Sequence, residues 1–352
     1  MFRRILVPLD GSTRAEQALP VAARIARASA GTVILVRVVT SPIDFAWYNT
    51  EAPQAMEAAL EADEAKAKAY INHVASAEQL EGIAVITEVL TGTPTNTIFE
   101  VAKTRQADLM VMCSHGDTGL KRWVLGSVAQ KVARHSPIPV LVLRESAGTP
   151  GTSHPEGSRP VRVMLATDNS PLSEEALEPA AYLSAALSAP LHGELHFVHI
   201  VPLPTNQVYD EMADILMREQ QQLIANENAK LTEAAHQLTT GSLAQLQLNV
   251  TTSLLIARDV AETLIETAEL GREDAAPCDV IVMASHGRSG LQRWVMGSVT
   301  ERVLGATRLP LLIVRPHKSV QPHKAKDITS ETQSHKKEQA SDLDTPLWVG
   351  LL

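Results

Sequence analysis

Two stretches decide how this chain is read: "SHGDTGLKRWVLGSV" at residues 114–128 and "SHGRSGLQRWVMGSV" at residues 285–299. Gly116 and Gly287 are 287 − 116 = 171 residues apart, and Gly126 and Gly297 keep that spacing, 297 − 126 = 171. The register continues through Trp123/Trp294, Ser127/Ser298, Val132/Val303, Pro139/Pro310 and Arg144/Arg315. Self-similarity at a fixed offset marks one structural unit written twice. Upstream, "ILVPLDGS" ending at Ser12 matches "VMLATDNS" ending at Ser170, with Asp10 and Asp168 separated by 168 − 10 = 158. The second copy therefore carries 171 − 158 = 13 extra residues between its aspartate and its loop, expected in helices and surface loops.

Around these loops each copy alternates short Val/Ile/Leu runs with helical stretches. The first copy reads "RRILVPL" as a strand, "STRAEQALPVAARIARAS" as one amphipathic helix and "TVILVRVV" as a strand. A long helix from about Ala52 to Gln79 follows, then the strand "IAVITEVL", a helix near "TNTIFEVAKTR" and the strand "DLMVMCS". After the glycine loop come the helix "GSVAQKVARHS" and the strand "PVLVLR". The second copy repeats the strands as "RVMLAT", "ELHFVHIV", "LNVTTSLL", "DVIVMAS" and "PLLIVR". Continuous apolar strands alternating with helices predict a five-stranded parallel sheet covered on both faces in each copy. Ligands of such sheets bind at the carboxyl ends of the strands.

Composition fits two domains of ordinary size: 352 residues, 45% hydrophobic and 20% charged. Aromatic residues make up 3%, so the cores must be aliphatic. A net charge of -9 argues against a nonspecific nucleic-acid binder, which needs a basic face. Two cysteines, Cys113 and Cys278, make no disulfide framework. No run is long enough to span a bilayer and no signal-peptide pattern opens the chain, which leads us to expect a cytoplasmic protein. The expected organisation is a first domain at 1–145, a Gly/Ser/Pro-rich linker at 146–159 and a second domain at 160–316. A polar tail at 317–352 lacks periodicity and reads as disordered.

The loops suit phosphate. Gly126 and Gly297 each open a helix, and a helix start offers unpaired N–H groups and the positive end of a dipole. Neither glycine has a side chain to hold an anion off those amides. The same residues admit a plainer reading, in which Ser127 caps its helix with Gln130 in an S-x-x-Q box, and Ser298 does so with Glu301. Asp10 and Asp168 also read two ways, as acceptors for ribose hydroxyls or as helix caps.

The combination of "ILVPLDGS", "GTP" after the third strand, and "SHG" with nine residues before "GSV" resembles the universal stress protein family. The likeness covers about Arg3 to Arg144 and Arg162 to Arg315, as in a tandem member of the ATP-binding branch. It implies a Rossmann-like, adenine nucleotide alpha hydrolase-like fold for each copy. The branch's motif is Gly, two residues, Gly, nine residues, then Gly with Ser or Thr. Here the later glycines are Gly116 and Gly126, followed by Ser127, and Gly287 and Gly297, followed by Ser298. The first glycine is replaced by Cys113 in one copy and by Ala284 in the other. The resemblance further implies that Pro8 and Asp10 touch adenine and ribose, with Val38 lining the base, Met112 nearby and Val128 after the phosphate glycine. Their counterparts are Ala166, Asp168, Ile200, Met283 and Val299. Ala166 replaces a proline and "ARD" from Ala257 replaces "GTP" from Gly92, so the second site departs further from the pattern.

Other residues carry less. Lys121, Arg122 and Arg293 read equally as phosphate partners and as solvated loop cations. Trp123 and Trp294 read as loop anchors, and His115 and His286 as packing or backbone support. His196 and His199 should point to opposite faces of their strand, against a metal site. Burial at a strand end predicts an inert Cys113 thiol. The leading expectation is an ATP-binding module, with Mg2+ screening the phosphates, little or no hydrolysis and no catalytic residues. Its two domains are expected to pair through their final strands as an internal pseudo-dimer, with a homodimer of chains beyond that. The alternatives are a nucleotide-hydrolysing enzyme, which lacks a Walker loop here, and an interaction module that binds no nucleotide.

Overall fold

The computed structural model describes residues 2–40, 53–114, 125–144, 159–203, 213–272, 275–287 and 296–315. Linker residues 146–158 and the tail from 317 lie outside the described residues, as do His115, Gly116, Lys121, Arg122, Trp123, Arg293 and Trp294.

In the first half, β1 (Arg4–Leu9), β2 (Thr32–Val39), β3 (Ala84–Thr91), β4 (Leu109–Cys113) and β5 (Val140–Leu143) alternate with helices. These are α1 (Thr13–Glu16), α2 (Ala18–Ser29), α3 (Pro53–Ala75), α4 (Pro94–Thr104) and α5 (Ser127–His135). The second half repeats them as β6 (Arg162–Thr167), β7 (Glu194–Pro202), β8 (Asn249–Ala257), β9 (Val280–Ala284) and β10 (Leu311–Val314). Its helices are α6 (Pro171–Glu174), α7 (Leu177–Ser188), α8 (Ala213–Thr240), α9 (Val260–Leu270) and α10 (Ser298–Ala306).

One expected helix is two. The stretch beginning at Ser12 breaks at Gln17, between α1 and α2. Pro20 has no N–H to offer the Glu16 carbonyl, and its ring crowds that carbonyl, so a single helix cannot run through. Restarting at Ala18 puts Pro20 in the first turn, where its missing donor is harmless. Pro179 does the same between α6 and α7.

Strand order is β3-β2-β1-β4-β5-β10-β9-β6-β7-β8. Within each half all pairings are parallel. The halves meet where β5 and β10 pair antiparallel, so two five-stranded sheets merge into one of ten strands. Leu141 pairs with Leu312, its own counterpart at 312 − 141 = 171, while Val140 faces Ile313 and Val142 faces Leu311. A local two-fold axis therefore passes through the Leu141–Leu312 pair, and the chain is an internal pseudo-dimer.

Two aliphatic cores cover the faces. One lies under α2, α3, α7 and α8, the other under α4, α5, α9 and α10, and each crosses both halves. The extra residues of the second half sit in the connections. Offsets rise from 158 at the aspartates to 194 − 32 = 162 at β7, 249 − 84 = 165 at β8 and 280 − 109 = 171 at β9. No helix among the described residues is long and apolar enough to cross a membrane.

Candidate functional site

The carboxyl ends of β1, β2 and β4 and the start of α5 converge at one edge of the first half. Asp10 follows β1, and its Oδ1 accepts from the Ser12 amide at 3.0 Å and the Ser12 hydroxyl at 2.6 Å. Ser12, not Asp10, caps α1, taking the Ala15 amide on Oγ at 3.1 Å. Ser170 likewise caps α6, with its hydroxyl donating to Asp168 at 2.5 Å. The capping reading of the two aspartates is thus replaced by a turn in which each aspartate holds the serine that caps.

The glycine loops differ from the capping-box expectation in a way that matters. Gly126 donates its amide to the Ser114 carbonyl at 2.8 Å, and its own carbonyl accepts from Gln130 N at 2.8 Å. Gly126 is therefore the cap residue, and Ser127 is already inside the helix. The second half matches, with Gly297 N to Ser285 O at 2.8 Å and Glu301 N to Gly297 O at 2.9 Å. Neither cap residue, being glycine, has a side chain to take the first amides of its helix. Glu301 reaches across the pseudo-axis to Arg134 instead of back to its own helix start. The first amides of α5 and α10 have no acceptor within their helices, and both starts keep their positive dipole ends.

In the first half these groups line a cavity of about 650 Å³. Pro8, Asp10, Val38, Met112, Cys113, Gly126, Ser127 and Val128 all form its wall, and Gly116 lies outside the described residues. Arg37, Asp63, Lys66 and Tyr70 also line it, although sequence reasoning did not single them out. Arg37 had a visible signal, as the one charge in the apolar run "TVILVRVV"; the α3 residues had none. Tyr70 donates to Glu16 Oε1 at 3.0 Å, and burial together with that carboxylate raises its phenol above the usual range. The half-buried Cys113 thiol points at the Ala15 carbonyl, 3.9 Å away.

The corresponding residues of the second half sit at the carboxyl ends of its own strands, which the antiparallel β5–β10 pairing turns to the opposite edge of the sheet. Buried Ala166, Ile200, Met283 and Ala284 end β6, β7 and β9, and Gly297, Ser298 and Val299 begin α10. A Cβ at Gly287 would collide with the Asp168 carboxylate, so the glycine lets the aspartate close on the loop. His196 and His199 bond separately, His196 Nδ1 to Thr251 Oγ1 at 2.7 Å and His199 Nδ1 to the Thr167 carbonyl at 2.7 Å. Burial, helped by Arg162, lowers the His196 pKa to about 4. Burial raises the Cys278 thiol to about 11, leaving it protonated at neutral pH.

Comparison with known proteins agrees with this architecture. The model of the universal stress protein family matches residues 1–144 and again 161–315. A universal stress protein of Mycolicibacterium smegmatis is 26% identical over 322 residues, 89% of this chain and 97% of that protein. One from Methanocaldococcus jannaschii is 33% identical over 146 residues, 41% of this chain and 84% of its own. Among solved structures, a universal stress protein from Archaeoglobus fulgidus superposes with a TM-score of 0.56 at 19% identity, covering 89% of this chain and 98% of that one. That likeness concerns the fold. The two family matches, one on each half of the ten-stranded sheet, show that this chain belongs to the universal stress protein family.

Proposed function

We propose that the first half binds ATP, accompanied by Mg2+, and that the chain works as a nucleotide-dependent stress-response module with little or no hydrolysis. Pro8, Val38 and Met112 flank the adenine, Asp10 accepts from the ribose hydroxyls, and the amides following Gly126 hold the phosphates. Small Cys113 lets the nucleotide approach the β4 end, and Gly116, Ser127 and Val128 complete the phosphate loop. Ala166, Asp168, Ile200, Met283, Ala284, Gly287, Gly297, Ser298 and Val299 form the counterpart in the second half. The two repeats, 1–145 and 160–316, are the units of the module.

One observation carries this reading. The cap residue of α5, Gly126, has no side chain to take the first amides, and the helix start opens on a cavity that also holds Asp10. Had Ser127 capped the helix, its amides would have been spent. The cavity's 650 Å³ lies within the roughly 300–1,000 Å³ typical of small-molecule sites. Arg37 in its wall supplies positive charge for a polyanion, whereas Lys66 is paired with Asp63 at 3.5 Å.

Titration calorimetry with ATP tests the reading. Gly126 has φ −60, so valine fits the backbone there and its side chain shields the amides. Gly126→Val should weaken ATP at least tenfold, about 1.4 kcal/mol, with the melting temperature preserved. Unchanged affinity would remove the phosphate role of α5. Turnover of many ATP per second in a steady-state assay would instead favour an enzyme.

A further inference from the structure

The two halves are not equivalent at the wall opposite α5's core, where α3 and α8 lie over the sheet edge. Core residues Ala67, Ile71 and Val74 of α3 match Leu231, Ala235 and Leu238 of α8, each pair 164 apart (231 − 67, 235 − 71, 238 − 74). The same offset matches Asp63 with Glu227, 227 − 63 = 164. Gly11 matches Asn169 at the aspartate offset, 169 − 11 = 158, and Arg37 matches His199 at the β2/β7 offset, 199 − 37 = 162.

In the first half a Cβ at Gly11 would meet the Arg37 guanidinium at 3.7 Å. Gly11 has no side chain, Asp63 is 58% exposed beside Lys66, and both Asp63 and Arg37 line the cavity. In the second half the same places are filled. Asn169 adopts φ 56, a left-handed conformation that asparagine tolerates, matching φ 89 at Gly11. Its Nδ2 donates to Glu227 Oε2 at 2.7 Å and to the Glu227 carbonyl at 3.1 Å. His199 Nε2 lies 3.6 Å from Oε2, and Lys230 Nζ 3.4 Å from Oε1. The Glu227 side chain is only 5% exposed and that of His199 3%.

We infer that Glu227 and Asn169 form a latch that closes the second nucleotide pocket, so that the chain carries one open site, in the first half. This rests on the nucleotide reading above and adds to it the residues that select between the sites. Where Arg37 comes over Gly11 and offers a cation to an anion, the second half has His199 set against the buried Glu227 carboxylate that Asn169 holds. A carboxylate held by charge-assisted bonds in a dry setting does not leave to admit a phosphate-bearing ligand.

The test counts ATP bound per full-length chain by equilibrium dialysis. Wild type should bind one, lost in Asp10→Ala and retained in Asp168→Ala. The double variant Asn169→Gly/Glu227→Ala should bind two, the second disappearing when Asp168→Ala is added. Because emptying the Glu227 position risks the fold, a reciprocal variant supplies a second measure. Gly11→Asn/Asp63→Glu builds the latch into the first half and should weaken ATP at least tenfold with an unchanged circular dichroism spectrum. Two ATP per wild-type chain overturn the latch, as does wild-type affinity in the reciprocal variant. No ATP on wild type overturns the nucleotide reading instead, and the latch then stands only if the unlatched variant gains a site.

Discussion

At the residue scale the site turns on Asp10, which accepts two bonds from Ser12 on one oxygen and faces the cavity. Asp10→Ala should weaken ATP by tenfold or more while leaving inorganic triphosphate binding little changed, as calorimetry with each ligand would register. Equal losses would make Asp10 structural. A second prediction concerns His196, buried and neutral, with a pKa lowered to about 4 from an ordinary value near 6.5. The unfolded chain binds this proton first, so stability should fall as pH drops from about 6.5 towards 4, by up to roughly 3 kcal/mol. His196→Gln should flatten that part of the profile in urea denaturation at stepped pH. What the sequence showed at this scale was uneven. The aspartates and glycines were legible because their spacing repeats, whereas Ser127 misled. Serine is a favoured cap, but the cap is set by which amide the Ser114 carbonyl takes, a contact across the whole loop.

At the scale of elements, short helices and strand ends position the chemistry. Ser12 caps α1 and bonds Asp10, so one hydroxyl links a helix start to a candidate ligand-binding group. Ser12→Ala should cost about 1 kcal/mol in denaturant unfolding and also weaken ATP. A stability loss with unaltered affinity would separate the cap from the site. Strands were read to within a residue or two, since apolar β-runs bounded by helices have few alternatives. The break at Gln17 was missed because amphipathic period alone ran through it; Pro20 carried the information. The α3 wall was illegible, because nothing in a helix's sequence tells which turn of it will overhang the sheet edge.

At the scale of the molecule, pairing of β5 with β10 turns two repeats into one sheet. Pairing of the last strands was anticipated, since each would otherwise leave an exposed edge. Its register, centred on Leu141 and Leu312, came only with the structure. The junction is reinforced by side chains from both halves. Arg144 donates to the Leu304 carbonyl, Arg315 Nη1 to the Ser136 carbonyl at 3.5 Å, and Arg134 pairs with Glu301. Both arginines thus bond the carboxyl-terminal parts of helices, where cations are favourable. Arg144→Ala should cost about 1–3 kcal/mol by stripping a buried carbonyl of its donor. Cores that run through both halves predict a single cooperative transition in calorimetry, and two separated transitions would contradict that continuity.

The start of α5, capped only by the backbone of Gly126, is proposed to grip the phosphates of a nucleotide. A crystal structure of the full chain grown with ATP and Mg2+ tests it most directly. Phosphate oxygens are expected within hydrogen-bond distance of the amides of residues 127–129, with a ribose hydroxyl on Asp10. An empty first-half cavity at saturating ATP, or nucleotide bound elsewhere with those amides solvated, would contradict it.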